Sequence, residues 1–167
     1  MTGYQETLTD PSYHKQVVVM TAPHIGNTGV NTFDNESKKY WVAGFVVRNP
    51  STLTSNWRSE ADLEATLIEQ GIVGIQSVDT RAITRHLRDR GAMRVGIFSG
   101  VELTREEMVI EVRKQPLMAG AYLCADVSTE KTYVIPAVGE KRFTVAAIDL
   151  GIKGATPRNM AERGIEV

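Results

Sequence analysis

The chain has 167 residues, with 19 Lys+Arg against 20 Asp+Glu and a formal charge of −1, so nothing in its overall balance points to a polyanion or a membrane surface. At 42% hydrophobic and 23% charged residues the composition is globular and not disordered. The single cysteine, Cys124, excludes an internal disulfide framework and a cysteine-rich zinc site, and it fits a reducing, cytoplasmic setting. No stretch approaches the roughly 18 apolar residues of a membrane span. The opening Met1-Thr2-Gly3-Tyr4-Gln5-Glu6 lacks the basic-then-apolar pattern of a signal peptide.

In chain order, Gln16–Thr21 is a β-branched run that predicts a strand, and the turn-rich Pro23–Gly29 follows it. Tyr40–Arg48 predicts a second strand, in which Gly44 signals a bulge or a close backbone approach. Ser59-Glu60-Ala61-Asp62 has the form of a capping box ahead of the helical stripe Leu63, Leu67, Ile68. Ile72–Ile75 is a short strand. Asp79 caps a helix through Arg90 with Ala82, Ile83 and Leu87 facing inward and Gly91 as its stop. Met93–Phe98 predicts another strand, and Thr104–Glu107 a second capping box opening a helix that closes before Pro116. Residues 124–142 are polar and read as a linker with room for one edge strand. A strong strand is expected at Phe143–Leu150, then a helix with Pro157 in its first turn that ends near Gly164, then the start of another strand at Ile165–Val167. A strand at 143–150 without sheet neighbours would leave an association-prone edge. The layout is a mixed α/β domain, a linker, and the first strand and helix of a parallel α/β unit.

Few residues nominate chemistry. Asp10-Pro11-Ser12 reads first as a turn, since Pro fixes φ and the flanking side chains bond nearby backbone, although a serine hydroxyl there can also serve a polar ligand. Gly26-Asn27-Thr28-Gly29 lacks the Lys-Ser/Thr of a P-loop and reads as a structural turn. Arg81, Arg85 and Arg88 share one helix face and read as a solvated surface, with an anion or nucleotide site as the competing reading. His14, His24 and His86 show no metal-ligand spacing, so no metal is expected. Cys124 lacks the flanking glycines of a nucleophile elbow and is expected to be buried and inert.

Several strings together resemble one family. They are Met1–Glu6, Leu8-Thr9-Asp10-Pro11-Ser12-Tyr13, Pro23–Gly29, Ser55-Asn56-Trp57-Arg58, and Gly71–Ile75 leading into Asp79–Arg85, with Ala147–Lys153 later. In this order they resemble the small, glutamine-hydrolysing chain of carbamoyl-phosphate synthase. The resemblance implies an α/β protein: a swivelling β/β/α three-layer domain, N-terminally incomplete, over residues 1–128, a linker at 129–142, and at 143–167 the first strand and helix of a class I glutamine amidotransferase domain. It further implies glutamine hydrolysis by a cysteine with a histidine and glutamate, and ammonia passing to a large subunit that uses ATP and Mg. The family's Gly-x-Cys-x-Gly elbow does not occur in these 167 residues, so the sequence reads as truncated at both ends and by itself inactive. One family site residue maps onto it, the serine of Asp-Pro-Ser, which the family uses to bind glutamine and which is Ser12 here. No cofactor is expected in this chain, and neither nucleic acid nor a membrane is expected as a partner. The alternative is a non-catalytic module that docks on the large subunit.

Overall fold

The computed structural model describes residues 3–167; Met1 and Thr2, which open the first of the family-like strings, lie outside the described residues. Gly3, with φ at +85°, turns the chain into helix α1 (Tyr4–Thr9). The helix buries Tyr4, Gln5, Leu8 and Thr9, because positions four apart share one face. Asp10 leaves helical geometry and caps a 3₁₀ turn at Pro11–Tyr13 by accepting a hydrogen bond from the Ser12 amide.

Three short strands, β1 (Val17–Val19), β3 (Gly44–Val46) and β5 (Val73–Ile75), form a parallel sheet in the order β1-β3-β5. Val18, Phe45 and Gly74 share one row of the register. A second parallel pair joins β2 (His24–Ile25) to β4 (Asn49–Pro50). The core gathers around Phe45 on the central strand, with Tyr4, Leu8, Ile25, Val42, Val47 and Leu63 buried against one another. Gly44 is a site of close approach, as its sequence position predicts: a Cβ built there would stand 2.9 Å from Ile97 Cδ1.

The expected second strand is shorter than Tyr40–Arg48. Only Gly44–Val46 pair in register, while the amides of Trp41, Ala43 and Val47 donate singly to Leu8, Gln16 and Ile75. Helix α2 (Leu63–Glu69) is capped by Asp62, which accepts from the Ala65 amide, and not by Ser59, whose hydroxyl turns to the Ala61 carbonyl. Helix α3 (Thr80–Arg90) begins at the Asp79 cap and stops at Gly91 as expected. Its apolar side chains are not inward, however: Ala82 and Ile83 are exposed, Leu87 is half-buried, and the buried residue is Thr80. Met93–Phe98 forms no strand ladder. Helix α4 (Arg105–Lys114) forms both halves of the Thr104/Glu107 capping box.

Cys124 opens a four-residue helix, α5 (Cys124–Val127), and is exposed, which corrects the expectation of a buried thiol. The reason is that α5 meets the rest of the molecule through Asp126 and Val127, leaving the Cys124 position outward. The expected strand at Phe143–Leu150 is reduced to β6 (Phe143–Thr144). It pairs in parallel with β7 (Ile165–Glu166), and α6 (Ala155–Ala161) lies between them. The polar 129–142 stretch is docked on this unit. Ile135 and Val167 exchange two backbone hydrogen bonds, and the Val138 amide donates to Ala161. Among the described residues no helix is long and apolar enough to cross a membrane.

Because Phe45 is 2% exposed at the middle of the central strand, Phe45→Ala is expected to cost about 3–5 kcal/mol. A urea titration should show this as a lower midpoint at unchanged slope.

Candidate functional site

Ser12 lies on a turn built by its neighbours. The Asp10 amide still donates to Thr7, ending α1, and Pro11 supplies the φ that a 3₁₀ turn needs. The Asp10 carboxylate then divides its two oxygens. Oδ1 accepts from the Ser12 amide at 2.9 Å, and Oδ2 accepts from Lys153 Nζ at 2.8 Å. Asp10 itself is 2% exposed, whereas Ser12 reaches the surface. The aspartate therefore fixes the turn from below, and Ser12 lies on its exposed side with the hydroxyl bonded to the same carboxylate.

Lys153 comes from a second turn of the same kind. Asp149 Oδ1 accepts from the amides of Gly151 and Ile152 at 2.9 and 2.8 Å, which folds residues 149–152 back on themselves. Gly151 holds φ at +96°, and a Cβ there would stand 3.1 Å from Pro11 Cβ and 3.1 Å from Val127 Cγ2. Only glycine allows the two turns to pack this closely. The other Asp149 oxygen accepts from the Tyr133 hydroxyl at 2.7 Å, tying in the polar stretch that precedes β6.

The charges are set by these contacts. Burial pushes the Asp10 carboxyl up, but hydrogen bonds from Lys153 and from the Ser12 amide and hydroxyl outweigh it and leave Asp10 below its ordinary value. Lys153 is raised, first by its hydrogen bond to Asp10 and then by the carboxylate charge. Asp149 is lowered, because the amides of Ile152 and Gly151 and the Tyr133 hydroxyl overcome its desolvation. On the far side of the Ser12 turn, His14 Nε2 and Lys15 Nζ each lie 3.0 Å from Asp126 Oδ2. These two contacts hold the Asp126 carboxyl low and pin α5 to the turn.

The remaining sequence candidates stay apart from this arrangement. Arg81, Arg85 and Arg88 are exposed along α3, and Arg88 lies 3.6 Å from Asp89. His24 and His86 are exposed on β2 and α3. No group of three or more His, Cys, Asp or Glu side chains suited to a metal ion occurs among the described residues. Gly26–Gly29 forms a tight turn whose Gly29 carbonyl and Thr28 hydroxyl both meet the Tyr4 hydroxyl, at 2.6 and 2.8 Å. There the opening string, the Gly26–Gly29 turn and the Ser55–Arg58 string converge on a polar cavity of about 260 Å³, with Arg58 paired to Asp34. Sequence reasoning found Ser12 through resemblance and missed Lys153, Gly151 and Asp149. Asp-Leu-Gly at 149–151 is an Asx-turn pattern that could have marked the second turn, but its docking on Pro11 spans about 140 residues of chain and leaves no local trace.

Comparison with known proteins bears on this arrangement directly. Residues 1–97 match the family model described as carbamoyl-phosphate synthase small chain, CPSase domain. The chain belongs to the carbamoyl-phosphate synthase small chain family. It is 68% identical to the carbamoyl phosphate synthase small chain of Streptomyces avermitilis and 67% identical to that of Streptomyces coelicolor, over all of this chain and 44% of each relative. It is 59% identical to the small chain of Mycolicibacterium paratuberculosis, over 99% of this chain and 45% of that relative. The chain thus spans less than half the length of the curated small chains it matches. The matches to these small chains extend beyond residue 97 to include the 149–153 turn, so both halves of the Ser12 arrangement lie within the similarity.

The Asp10–Lys153 pair makes stability depend on pH in a definite way. The lowered Asp10 contributes fully above the unfolded carboxylate value, and that contribution is lost as pH falls through the lower folded value. The raised Lys153 contributes fully below the unfolded lysine value and is lost as pH rises through the folded one. Lys153→Met is expected to cost about 1–2 kcal/mol at neutral pH, less than a fully buried pair because the Lys153 side chain is half in solvent. In thermal melts, the gap between wild type and variant should be flat from about pH 5 to 9 and narrow below about 4 and above about 10.5.

Proposed function

We propose that these residues form the glutamine-contacting N-terminal part of the small chain of a glutamine-dependent carbamoyl-phosphate synthase. In this reading residues 1–128 belong to the swivelling domain, 129–142 connect, and 143–167 begin the class I glutaminase domain. The parallel β6-α6-β7 unit supports the last of these assignments.

The observation that carries the reading is the placement of Ser12. Ser12 is exposed on the 10–13 turn, which the buried Asp10 carboxylate ties to Lys153 of the 149–153 turn, and the same carboxylate orients the Ser12 amide and hydroxyl. A hydroxyl fixed at a junction between two chain units is suited to hydrogen-bond a small polar substrate lodged between them. Glutamine offers amide, ammonium and carboxylate groups to such a hydroxyl. In the reaction proposed, water and glutamine give glutamate and ammonia through a cysteine thiolate supplied by polypeptide other than these residues. Cys124, exposed on α5 in Leu-Cys-Ala, does not have the strand-to-helix turn of such a nucleophile. The ammonia is then consumed by the large subunit, which draws on ATP and Mg to activate bicarbonate and phosphorylate carbamate, a cytoplasmic step toward arginine and pyrimidines.

The test is Ser12→Ala in the native polypeptide that carries these residues, assembled with its large subunit. A lost hydrogen bond to a charged or strongly polar substrate group corresponds to a rise in KM for glutamine of about tenfold or more. Synthesis driven by free ammonium should stay unchanged, since it bypasses glutamine. An unaltered KM for glutamine would remove Ser12 from the substrate site. The 167-residue chain alone is expected to release no ammonia from glutamine, and Ser12-dependent release by it would contradict the assignment of the nucleophile.

A further inference from the structure

The first turn of α6 is capped from far away in the chain. Its N-cap residue, Gly154, has no side chain to offer, and a Cβ there would stand 3.1 Å from the Glu36 carbonyl oxygen. Glu36 takes both roles: its carbonyl accepts from the Gly154 amide at 2.7 Å, and its carboxylate Oε2 accepts from the Ala155 amide at 2.9 Å. A carboxylate suits this place, because the free amides of a helix start carry partial positive charge. Residues 153–155 are therefore held by Glu36 immediately beyond Lys153.

The same glutamate is tied to the other side of the Ser12 arrangement. Its own amide donates to Thr9 Oγ1 at 2.9 Å, and the next residue, Ser37, donates its hydroxyl to the Thr9 carbonyl at 2.6 Å. Thr9 is 1% exposed, is anchored to the Gln5 carbonyl, and immediately precedes Asp10. Residues 36–37 thus grip the chain one residue before the first turn and one residue after Lys153 of the second. The direct Asp10–Lys153 contact uses a half-exposed, flexible lysine, whereas the Glu36 carboxylate reaches the Ala155 amide from a backbone held in place by Thr9 and Gly154.

We propose that Glu36 is a positioning residue for the Ser12 hydroxyl: its backbone is tied to Thr9 and Gly154, and its carboxylate, by capping Ala155, sets the separation of the two turns between which the substrate lodges. The inference rests on Ser12 as a glutamine contact. Glu36 touches no reacting atom, so its removal lowers substrate affinity and leaves the chemical step largely intact.

The experiment is a double-mutant cycle in the native polypeptide assembled with its large subunit, reading kcat and KM for glutamine in wild type, S12A, E36A, E36Q, and both Glu36 variants combined with S12A. E36A, which removes the cap on Ala155 and keeps the backbone ties, is expected to raise KM about three- to fivefold with kcat within about twofold, and E36Q by less because it keeps an acceptor oxygen. In the S12A background either Glu36 variant should change KM by less than about twofold. Equal KM increases in both backgrounds would mean that Glu36 acts elsewhere and would overturn the inference, as would an unchanged KM in E36A. If S12A alone leaves KM unchanged, the failure lies with the Ser12 reading itself. Circular-dichroism melts identify a variant that does not fold; in that event the more conservative E36Q, with and without S12A, decides the outcome by the same two criteria.

Discussion

A carboxylate taken out of water persists only where donors replace its hydration, and Asp10 finds them in two parts of the chain that are otherwise remote. The Ser12 amide comes from the next turn of backbone, and the Lys153 ammonium arrives from more than 140 residues downstream. Because each oxygen has its own donor, Asp10 acts as a hinge pin whose burial is conditional on both turns being in place. Around this pin lie the other long-range ties: Gly151 against Pro11, Glu36 on the start of α6, and Asp126 on His14 and Lys15. Remove Lys153, and the buried Asp10 charge loses its partner at the point where those ties converge.

The sheet explains why so much rests on polar ties. The β1-β3-β5 sheet is three residues long per strand, and the apolar core beneath it is centred on Phe45, Leu8 and Ile25. From β5 onward the apolar side chains of Val73, Ile75, Val95, Val109 and Ile110 are exposed, so hydrophobic burial is concentrated in residues 4–67. The second half is joined to the first by hydrogen bonds and ion pairs, each modest, which act together because they share residues: Asp10 with Ser12 and Lys153, Asp149 with Gly151, Ile152 and Tyr133.

Membership of the carbamoyl-phosphate synthase small chain family gives this arrangement its chemical setting. In the function proposed for it, the arrangement would hold a small, highly hydrated substrate and keep the released ammonia from solvent. A site assembled from two chain units suits that task, since their relative placement can govern both access and orientation. Ser12 held by a buried carboxylate fits that proposal, because groups that shape a water-excluding site must be fixed by something other than the substrate.

Local features were legible in the sequence by itself. The Asp79 cap, the Thr104/Glu107 capping box, the Gly91 stop and the short strands at 17–19 and 73–75 depend on neighbouring residues, and these signals act within a few positions. The close approach at Gly44 was also marked, because a glycine inside an apolar run has few other uses. The family strings drew attention to Ser12. What only the tertiary structure decided is which face of α3 is covered, that Cys124 lies outside, that 143–150 pairs over two residues, and that Glu36 and Lys153 meet Thr9 and Asp10 at the start of the Ser12 turn. Each of these depends on partners about 20 to 140 residues away, and neither hydrophobic period nor turn chemistry at one position records what a distant segment will place against it. Sequence set the local geometry of each turn, whereas the pairing of the turns came from a buried charge that could be satisfied only when the chain had closed on itself.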